Sequence, residues 1–299
     1  MSITKTGVFT IAGRPNVGKS TLANRIAGEK IAIVSHKPQT TRNRISAICN
    51  RGETQLVFLD TPGYHKAKNA LDSYMDRIVE TSVADNMDAV LLVVEPIANV
   101  GKQEEALIRM IAASGAPAIL AINKCDTVKK PELLAVMETY AAAGKFAEIL
   151  PISARTGDGV DELLNILAGY AVEGPQLFPE DMVTDQPDRQ IVAEIVREKL
   201  LYCLEQEIPH GTAVEVTRFS ERDNEIIDLD VTIYCEKEGH KRIIIGKNGS
   251  MLKRIGELAR KDVERYMGTK VFLQSWVKVK ENWRDQDAML RNFGYHYDK

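Results

Sequence analysis

Through the first 171 residues, short unbroken apolar runs alternate with stretches whose apolar positions recur every three to four residues. The runs Val8–Ala12, Ile45–Cys49, Gln55–Leu59, Ala89–Val94, Ala118–Ile122 and Glu148–Pro151 predict strands. The segments Lys19–Gly28, Asn69–Ala84, Lys102–Ala112, Pro131–Ala143 and Gly159–Gly169 between them predict helices. A strand that is apolar at successive positions, rather than at every second one, is covered on both faces. The pattern therefore predicts an α/β fold with a doubly wound, mostly parallel sheet. Arg51-Gly52-Glu53 is too short for a crossover, so Ile45–Cys49 and Gln55–Leu59 are expected as an antiparallel hairpin at one edge.

The alternation stops near Ala171. Pro175, Pro179 and Pro187 punctuate the next stretch, which is expected to be a linker, with Phe178-Pro179-Glu180-Asp181 a candidate to dock on a domain surface. Beyond it the order changes. Asp188–Gln206 predicts a helix, Ala213–Phe219 and Ile226–Cys235 two strands, Glu238–Ile245 and Ser250–Met267 two helices, and Lys270–Val279 a last strand. This α-β-β-α-α-β order is that of a smaller α+β domain. The expected division is 1–171, linker 172–187 and 188–299, with no internal repeat or low-complexity segment.

Composition narrows the class without naming the chemistry. The 299 residues are 44% apolar and 27% charged, as in ordinary globular proteins. No apolar run approaches the ~18 residues that span a bilayer, and a first strand so near Met1 leads us to expect no signal or transit peptide. Cys49, Cys125, Cys203 and Cys235 are scattered, which predicts reduced thiols in the cytoplasm rather than a disulfide frame or zinc site. The net charge of −3 hides an asymmetry, because Glu236–Arg284 holds eight Lys and five Arg against five Glu and one Asp. Two readings of that stretch stay open, a polyanion site and a solvated charged face.

The chemistry begins at Gly13-Arg14-Pro15-Asn16-Val17-Gly18-Lys19-Ser20, followed by Thr21. It reads G-x-x-x-x-G-K-S between a predicted strand and a predicted helix, the context that makes it a phosphate loop. Glycine lets the backbone amides turn inward around an anion, and the helix adds its positive end. Lys19 can reach the β- and γ-phosphates, and Ser20 can ligate Mg²⁺. Asp60-Thr61-Pro62-Gly63 ends the third strand, where the carboxylate can hold Mg²⁺ through water and Gly63 can offer its amide to a γ-phosphate. Asn123-Lys124-Cys125-Asp126 follows the fifth strand. There the Asp126 carboxylate can accept from N1–H and the exocyclic amine of guanine, while adenine would leave that charge unpaired. The stem of Lys124 can pack over the base. In Ser153-Ala154, after the next strand, a backbone amide could meet the guanine carbonyl. The polar segment Ser35–Arg44 holds Thr40 and Thr41, either of which can give Mg²⁺ a hydroxyl when a γ-phosphate is present.

In this order the motifs resemble the translation-factor-related GTPases, and the two-domain layout narrows the resemblance to the Era family. It extends over essentially the whole chain and includes Pro38-Gln39-Thr40-Thr41-Arg42, Asp60 to Lys66, Glu207-Ile208-Pro209-His210, Gly246-Lys247-Asn248-Gly249 and Trp276 to Lys280. The resemblance implies a GTPase with GTP or GDP and Mg²⁺ as cofactors, and Thr41 as the switch threonine with Thr40 the alternate. Ser20, Thr41 and Asp60 are then the metal residues, and Lys19, Asn16, Thr41 and Gly63 the catalytic ones. Tyr64 stands where Ras-type sites carry a water-orienting glutamine, which implies slow intrinsic turnover. Asn16 is a candidate to hold K⁺ beside the phosphates. Alternatively, it only shapes the loop.

Gly246-Lys247-Asn248-Gly249 carries G-x-x-G between two helices in an order similar to the type II KH fold, with Lys241, Arg242, Lys253 and Arg254 nearby. KH domains clamp a nucleic-acid backbone with this loop and read unpaired bases in a groove. The candidate RNA residues are Lys241, Arg242, Ile244, Gly246, Lys247, Asn248, Gly249, Lys253 and Arg254. The family resemblance implies a target near the 3′ end of small-subunit (16S) ribosomal RNA, a role in assembling the 30S subunit, and no obligate protein partner. Expected behaviour is a GTP-gated RNA-binding switch in the cytoplasm. Two alternatives are a constitutive RNA-binding assembly protein with a structural nucleotide, and a GTPase peripheral to the inner face of the cell membrane.

Overall fold

The computed structural model describes residues 3–85, 87–222 and 225–295, so the outermost residues of the expected domains lie outside it. The described residues form two compact units. One takes those of 1–32, 38–67 and 72–185, and the other those of 33–37, 68–71 and 186–299.

The first unit runs β1 (Lys5–Ala12), α1 (Lys19–Ala27), β2 (Ile45–Arg51), β3 (Thr54–Asp60), α2 (Ala70–Ala84), β4 (Ala89–Val94), α3 (Lys102–Ser114), β5 (Ala118–Ile122), α4 (Lys130–Ala143), β6 (Glu148–Pro151), α5 (Val160–Ala168) and β7 (Val172–Glu173). The main strand order is β2-β3-β1-β4-β5-β6. β3, β1, β4, β5 and β6 are parallel neighbours. At the edge β2 runs antiparallel to β3 with Ile45 opposite Asp60 and Arg51 opposite Thr54, the expected hairpin.

The unbroken apolar runs are explained by a core on each face of this sheet. Phe9, Ile11, Leu91 and Val93 pack with Leu22 and Ile26 of α1 and Leu163 and Leu167 of α5. The alternate positions Ala12, Val90, Leu92 and Val94 pack with Val79 of α2, Leu107 of α3 and Tyr140 of α4. Each fully buried aliphatic side chain contributes about 1.5–3 kcal/mol, so the two layers hold the strand ends in fixed register.

The stretch expected as a linker, 172–187, is largely ordered on this unit up to Asp185, with Phe178 and Glu180 of the candidate docking segment bonded to Gln55 and Asn50. Its first residues are β7, antiparallel to β1 with Lys5 opposite Glu173. Gln55, fully buried, accepts from the amides of Leu177 and Phe178, both at 2.9 Å, and donates to the Phe178 carbonyl. The Ile48 amide donates to Val183, and the Ser46 hydroxyl to Asp185 at 2.8 Å. Proline punctuation thus marks a segment without periodic structure, but one fastened to the sheet through Leu177, Phe178, Val183 and Asp185.

The second unit contains α6 (Asp188–Cys203), β8 (Ala213–Glu221), β9 (Ile227–Cys235), α7 (Glu238–Ile245), α8 (Ser250–Met267), β10 (Val271–Val279) and α9 (Asp287–Asn292). Its sheet order is β10-β9-β8, with β9 parallel to β10 and antiparallel to β8. Val196 and Leu200 of α6, Ile233 of β9, Ile244 of α7, and Ile255 and Ala259 of α8 share its core. Glu207-Ile208-Pro209-His210 leads into a turn that receives the C-terminal segment: the indole of the fully buried Trp283 donates to Gly211 O at 3.0 Å. Arg284 beside it donates twice to Glu236, at 3.1 and 2.6 Å. Within this unit Lys37 Nζ donates to the carbonyls of Leu201 and Leu204 at the end of α6, and the Val34 amide to Glu198 at 3.1 Å. No helix among the described residues is long and apolar enough to cross a membrane.

Candidate functional site

The C-terminal ends of β1, β3, β5 and β6 come together at one edge of the first sheet, where open α/β sheets place their ligands. Between β1 and α1, Asn16 adopts a left-handed φ of 66° and Gly18 a φ of 101°. A Cβ at Gly18 would lie 2.2 Å from the Asn123 amide nitrogen, so only glycine lets the two loops meet. Lys19 is 5% exposed, and its ammonium donates to Gly13 O at 3.0 Å and Arg14 O at 2.9 Å. Burial lowers its pKa to about 8, against the opposing pull of Asp60.

Ser20, Thr41 and Asp60 converge beside this lysine. Ser20 Oγ lies 2.7 Å from Thr41 Oγ1 and donates to Asp60 Oδ2 at 2.8 Å. Asp60 Oδ1 is buried without a hydrogen-bond partner. Burial pushes the Asp60 carboxyl up to about 6, partly offset by Lys19 and the Ser20 hydroxyl. Two hydroxyls and one carboxylate with an unpartnered oxygen are the hard donors that Mg²⁺ takes alongside phosphate and water. These residues fit the ion that the sequence implies, and of the two threonines Thr41 is the one beside Ser20.

The Asp60-Thr61-Pro62-Gly63 turn closes on the phosphate loop. Thr61 spends its hydroxyl on Ile11 O at 2.7 Å. A Cβ at Gly63 would lie 2.6 Å from the Pro15 backbone, which explains glycine there without reference to flexibility. The Tyr64 amide donates to Gly13 O at 3.2 Å.

At the base-reading end, Asn123 is 2% exposed and holds two loops at once. Its Nδ2 donates to Val17 O at 2.8 Å, and its Oδ1 accepts from the Ala154 amide at 2.9 Å. Lys124 Nζ donates to Asn16 O at 2.8 Å and pairs with Glu95. Asp126 is held below the usual carboxylate range by the Ser153 hydroxyl and by the Arg155 guanidinium paired with it.

Some expected contacts differ. The amides of Ser153 and Ala154 are already donated, the first to Asp158 O within its own turn and the second to Asn123 Oδ1 in the loop after β5; neither is held in reserve for a purine carbonyl. The Arg14 guanidinium is turned to Glu104 and Glu95, so only its backbone faces a phosphate role. Arg155 was missed: nothing in its local sequence says that it reaches back to Asp126.

In the second unit the Gly246–Gly249 loop bends through positive φ at Gly246 (74°), Asn248 (52°) and Gly249 (78°). Lys247, Asn248, Arg242 and Lys253 are exposed, and Lys241 is half-buried. A groove of about 440 Å³ opens beside the loop, lined by Gly249, Leu252, Lys253, Gly256, Arg260 and, from β10, Leu273 and Ser275, with Glu257 at its wall. Ile244 is fully buried in the core and presents no side chain to a ligand, because the apolar face of α7 turns inward. Arg254 is not among the groove walls and instead lies near Cys203, whose thiol it influences. Gly256, Arg260, Leu273 and Ser275 were missed. The spacing 249, 252, 253, 256, 260 along one face of α8 was the available signal.

Residues 8–124 match the family model of the 50S ribosome-binding GTPases, and residues 207–284 that of the KH domain. The chain is 48% identical over 295 residues to the GTPase Era of Ruminiclostridium cellulolyticum, covering 99% of each. It is 49% identical over 294 residues to that of Clostridioides difficile, covering 98% of this chain and 99% of the other. A crystal structure of Aquifex aeolicus Era bound to GDP and AlF4⁻ superposes with a TM-score of 0.94 at 37% identity, covering 98% of this chain and all of that one. A structure of Era with MgGDPNP and nucleotides 1506–1542 of 16S ribosomal RNA superposes at 0.93, also at 37% identity and the same coverage.

Proposed function

Because the chain belongs to the Era family of GTPases, we propose that it is a GTP-driven switch that binds the 3′ region of 16S ribosomal RNA through its KH domain during 30S assembly. It is a GTPase with a C-terminal KH domain. The observation that carries the proposal is the convergence of Ser20, Thr41 and Asp60 beside Lys19, with one Asp60 oxygen left unpaired.

In this reading residues 1–171 form the GTPase domain and 188–299 the KH domain, joined by 172–187. The backbone N–H groups of the 13–21 loop, Pro15 having none, receive the phosphates, and Lys19 exchanges the carbonyls of Gly13 and Arg14 for phosphate oxygens. Ser20, Thr41 and Asp60 hold Mg²⁺, which when bound neutralises charge on the β- and γ-phosphates. Gly63 donates its amide toward the γ-phosphate, and Asp126 reads guanine once Arg155 gives way. Asp60 is committed to Mg²⁺ in this scheme, and Thr61, Pro62 and Gly63 carry no basic side chain, so positioning and charge supply the rate. Asn16 is a ligand for K⁺ near the phosphates in this scheme. Equal hydrolysis rates in K⁺ and Na⁺ exclude that role.

The RNA backbone lies along Lys247 and Asn248, and unpaired bases enter the groove toward Leu273 and Ser275. Two short segments that flank the switch residues, Ile33–Lys37 before Thr41 and Lys68–Leu71 after Gly63, fold with the second unit, which supports nucleotide gating of RNA affinity. The site of action in this reading is the cytoplasm, with peripheral contact at the inner membrane face, checked by liposome binding in competition with RNA.

The deciding measurement is affinity for a fluorescent copy of the 16S 3′ end with GDPNP and with GDP. The switch requires tighter binding in one nucleotide state. Identical affinities assign the nucleotide a structural role instead.

A further inference from the structure

We propose that His65 is a positioning residue for GTP hydrolysis, a latch that fixes the Gly63–Tyr64 peptide and joins both switch segments through a shared carboxylate. This rests on the GTPase reading and adds a residue to it.

His65 lies two positions beyond Gly63, and its side chain is only 16% exposed. Nδ1 lies 3.1 Å from Gly63 O and 3.3 Å from Asp76 Oδ1, while Nε2 lies 3.6 Å from Asp72 Oδ1. The His65 amide donates to Asp76 Oδ1 as well, at 3.1 Å. Asp72 and Asp76 stand one turn apart on α2, so both reach the same ring. A neutral imidazole offers a single donor, whereas an imidazolium offers both nitrogens to the two carboxylates. The carboxylates facing the ring, Asp72 first and then Asp76, raise its pKa to about 9, which keeps it cationic near neutrality.

Two further bonds make this arrangement more than a local ion pair. The peptide whose carbonyl His65 holds gives its other end to the phosphate loop, since the Tyr64 amide donates to Gly13 O. That same carbonyl oxygen of Gly13 receives Lys19. On the other side, Gln39 Nε2 donates to Asp72 Oδ1 at 2.7 Å from a left-handed backbone with φ of 58°, two residues before Thr41. Asp72 is 1% exposed. One buried carboxylate thus serves the segment that carries Thr41 and the turn that carries Gly63. The latch places no group on the reacting atoms. It narrows the positions from which Gly63 can donate to a γ-phosphate, a contact that GDP does not make.

The test is single-turnover hydrolysis of MgGTP by the full chain carrying His65→Ala or His65→Gln, with affinities for fluorescent GDP and GDPNP and the melting temperature measured on the same samples. We expect hydrolysis about tenfold slower with GDP affinity within about twofold of the parent, and a smaller loss with His65→Gln, whose amide can still donate to Gly63 O. Unchanged hydrolysis overturns the proposal. So does a parallel fall of GDP affinity, hydrolysis and melting temperature, the signature of a fold-supporting residue. If His65→Ala does not fold, Asp76→Asn and His65→Gln are judged on the same criteria. Lys19→Ala run alongside separates the two ideas, because intact GDP binding in that variant removes the nucleotide site itself rather than the latch.

Discussion

The carboxylate of Asp126 is already occupied by the guanidinium of Arg155, and a guanine must displace that exposed side chain to be read. The exchange is cheap, because exposed ion pairs contribute little. A mismatched base is costly, because it meets the carboxylate with no donor. Asp126→Asn should therefore lower GTP affinity by at least about a hundredfold and admit xanthosine nucleotides, measured by competition against fluorescent GDP. His65 gives a residue-level dependence on pH. Its pKa is raised to about 9 in the folded chain from 6.5, so the folded form binds the proton more tightly. The stabilisation is complete below pH 6.5 and is lost as pH rises through 9, with a ceiling of about 3 kcal/mol. Urea midpoints should fall across that window in the parent and fall less in His65→Gln. At this scale the sequence was readable where a motif fixed the placement, as at Lys19, Ser20 and Asp60, which the structure brings side by side. It was opaque where a partner arrives from another loop, as Arg155 does at Asp126. The Asp72–Asp76 spacing downstream of His65 was visible but gave no hint that both would share one ring.

Among the elements, α8 offers the cleanest separation of fold from function. Gly256 lies in the middle of that helix, lines the groove, and has nothing within 4 Å of an added Cβ. Gly256→Leu should weaken RNA binding about tenfold or more by filling the groove. It should hold or raise the melting temperature, since interior helical glycine costs about 0.5–1 kcal/mol. Gln55 on β3 is the opposite case. It looked like the first residue of an ordinary strand, yet its buried carboxamide is what secures Leu177 and Phe178. Gln55→Ala should cost about 2–4 kcal/mol through the amides it leaves unpaired, and should expose 172–185 to limited proteolysis. The strands of the first sheet were legible because two-sided burial forces unbroken apolar runs. β7 was not, because its two residues are exposed and pair only with the stretch of β1 that β4 does not reach. Likewise the groove of the second unit depends on which face of α8 meets β10, a fact of packing rather than composition.

For the whole molecule, two units with separate cores predict two responses. Saturating GDP should stabilise the first by about 2.7 kcal/mol at a hundredfold excess over Kd. Trp283→Ala, which empties a fully buried indole site, should cost the second about 3–5 kcal/mol. Calorimetry on the full chain should resolve these as opposite shifts of different transitions. RNA capture should fail in Trp283→Ala while GDP binding persists. The amide of Asn123 carries a last implication. Because it fastens Val17 to Ala154, the cradle for the purine and the cradle for the pyrophosphate form a single jaw. Half a ligand then does half the tightening for the other half. Guanosine and pyrophosphate, offered together as fragments, should each improve the grip on the other, and shortening that one side chain should leave two weak and indifferent grips.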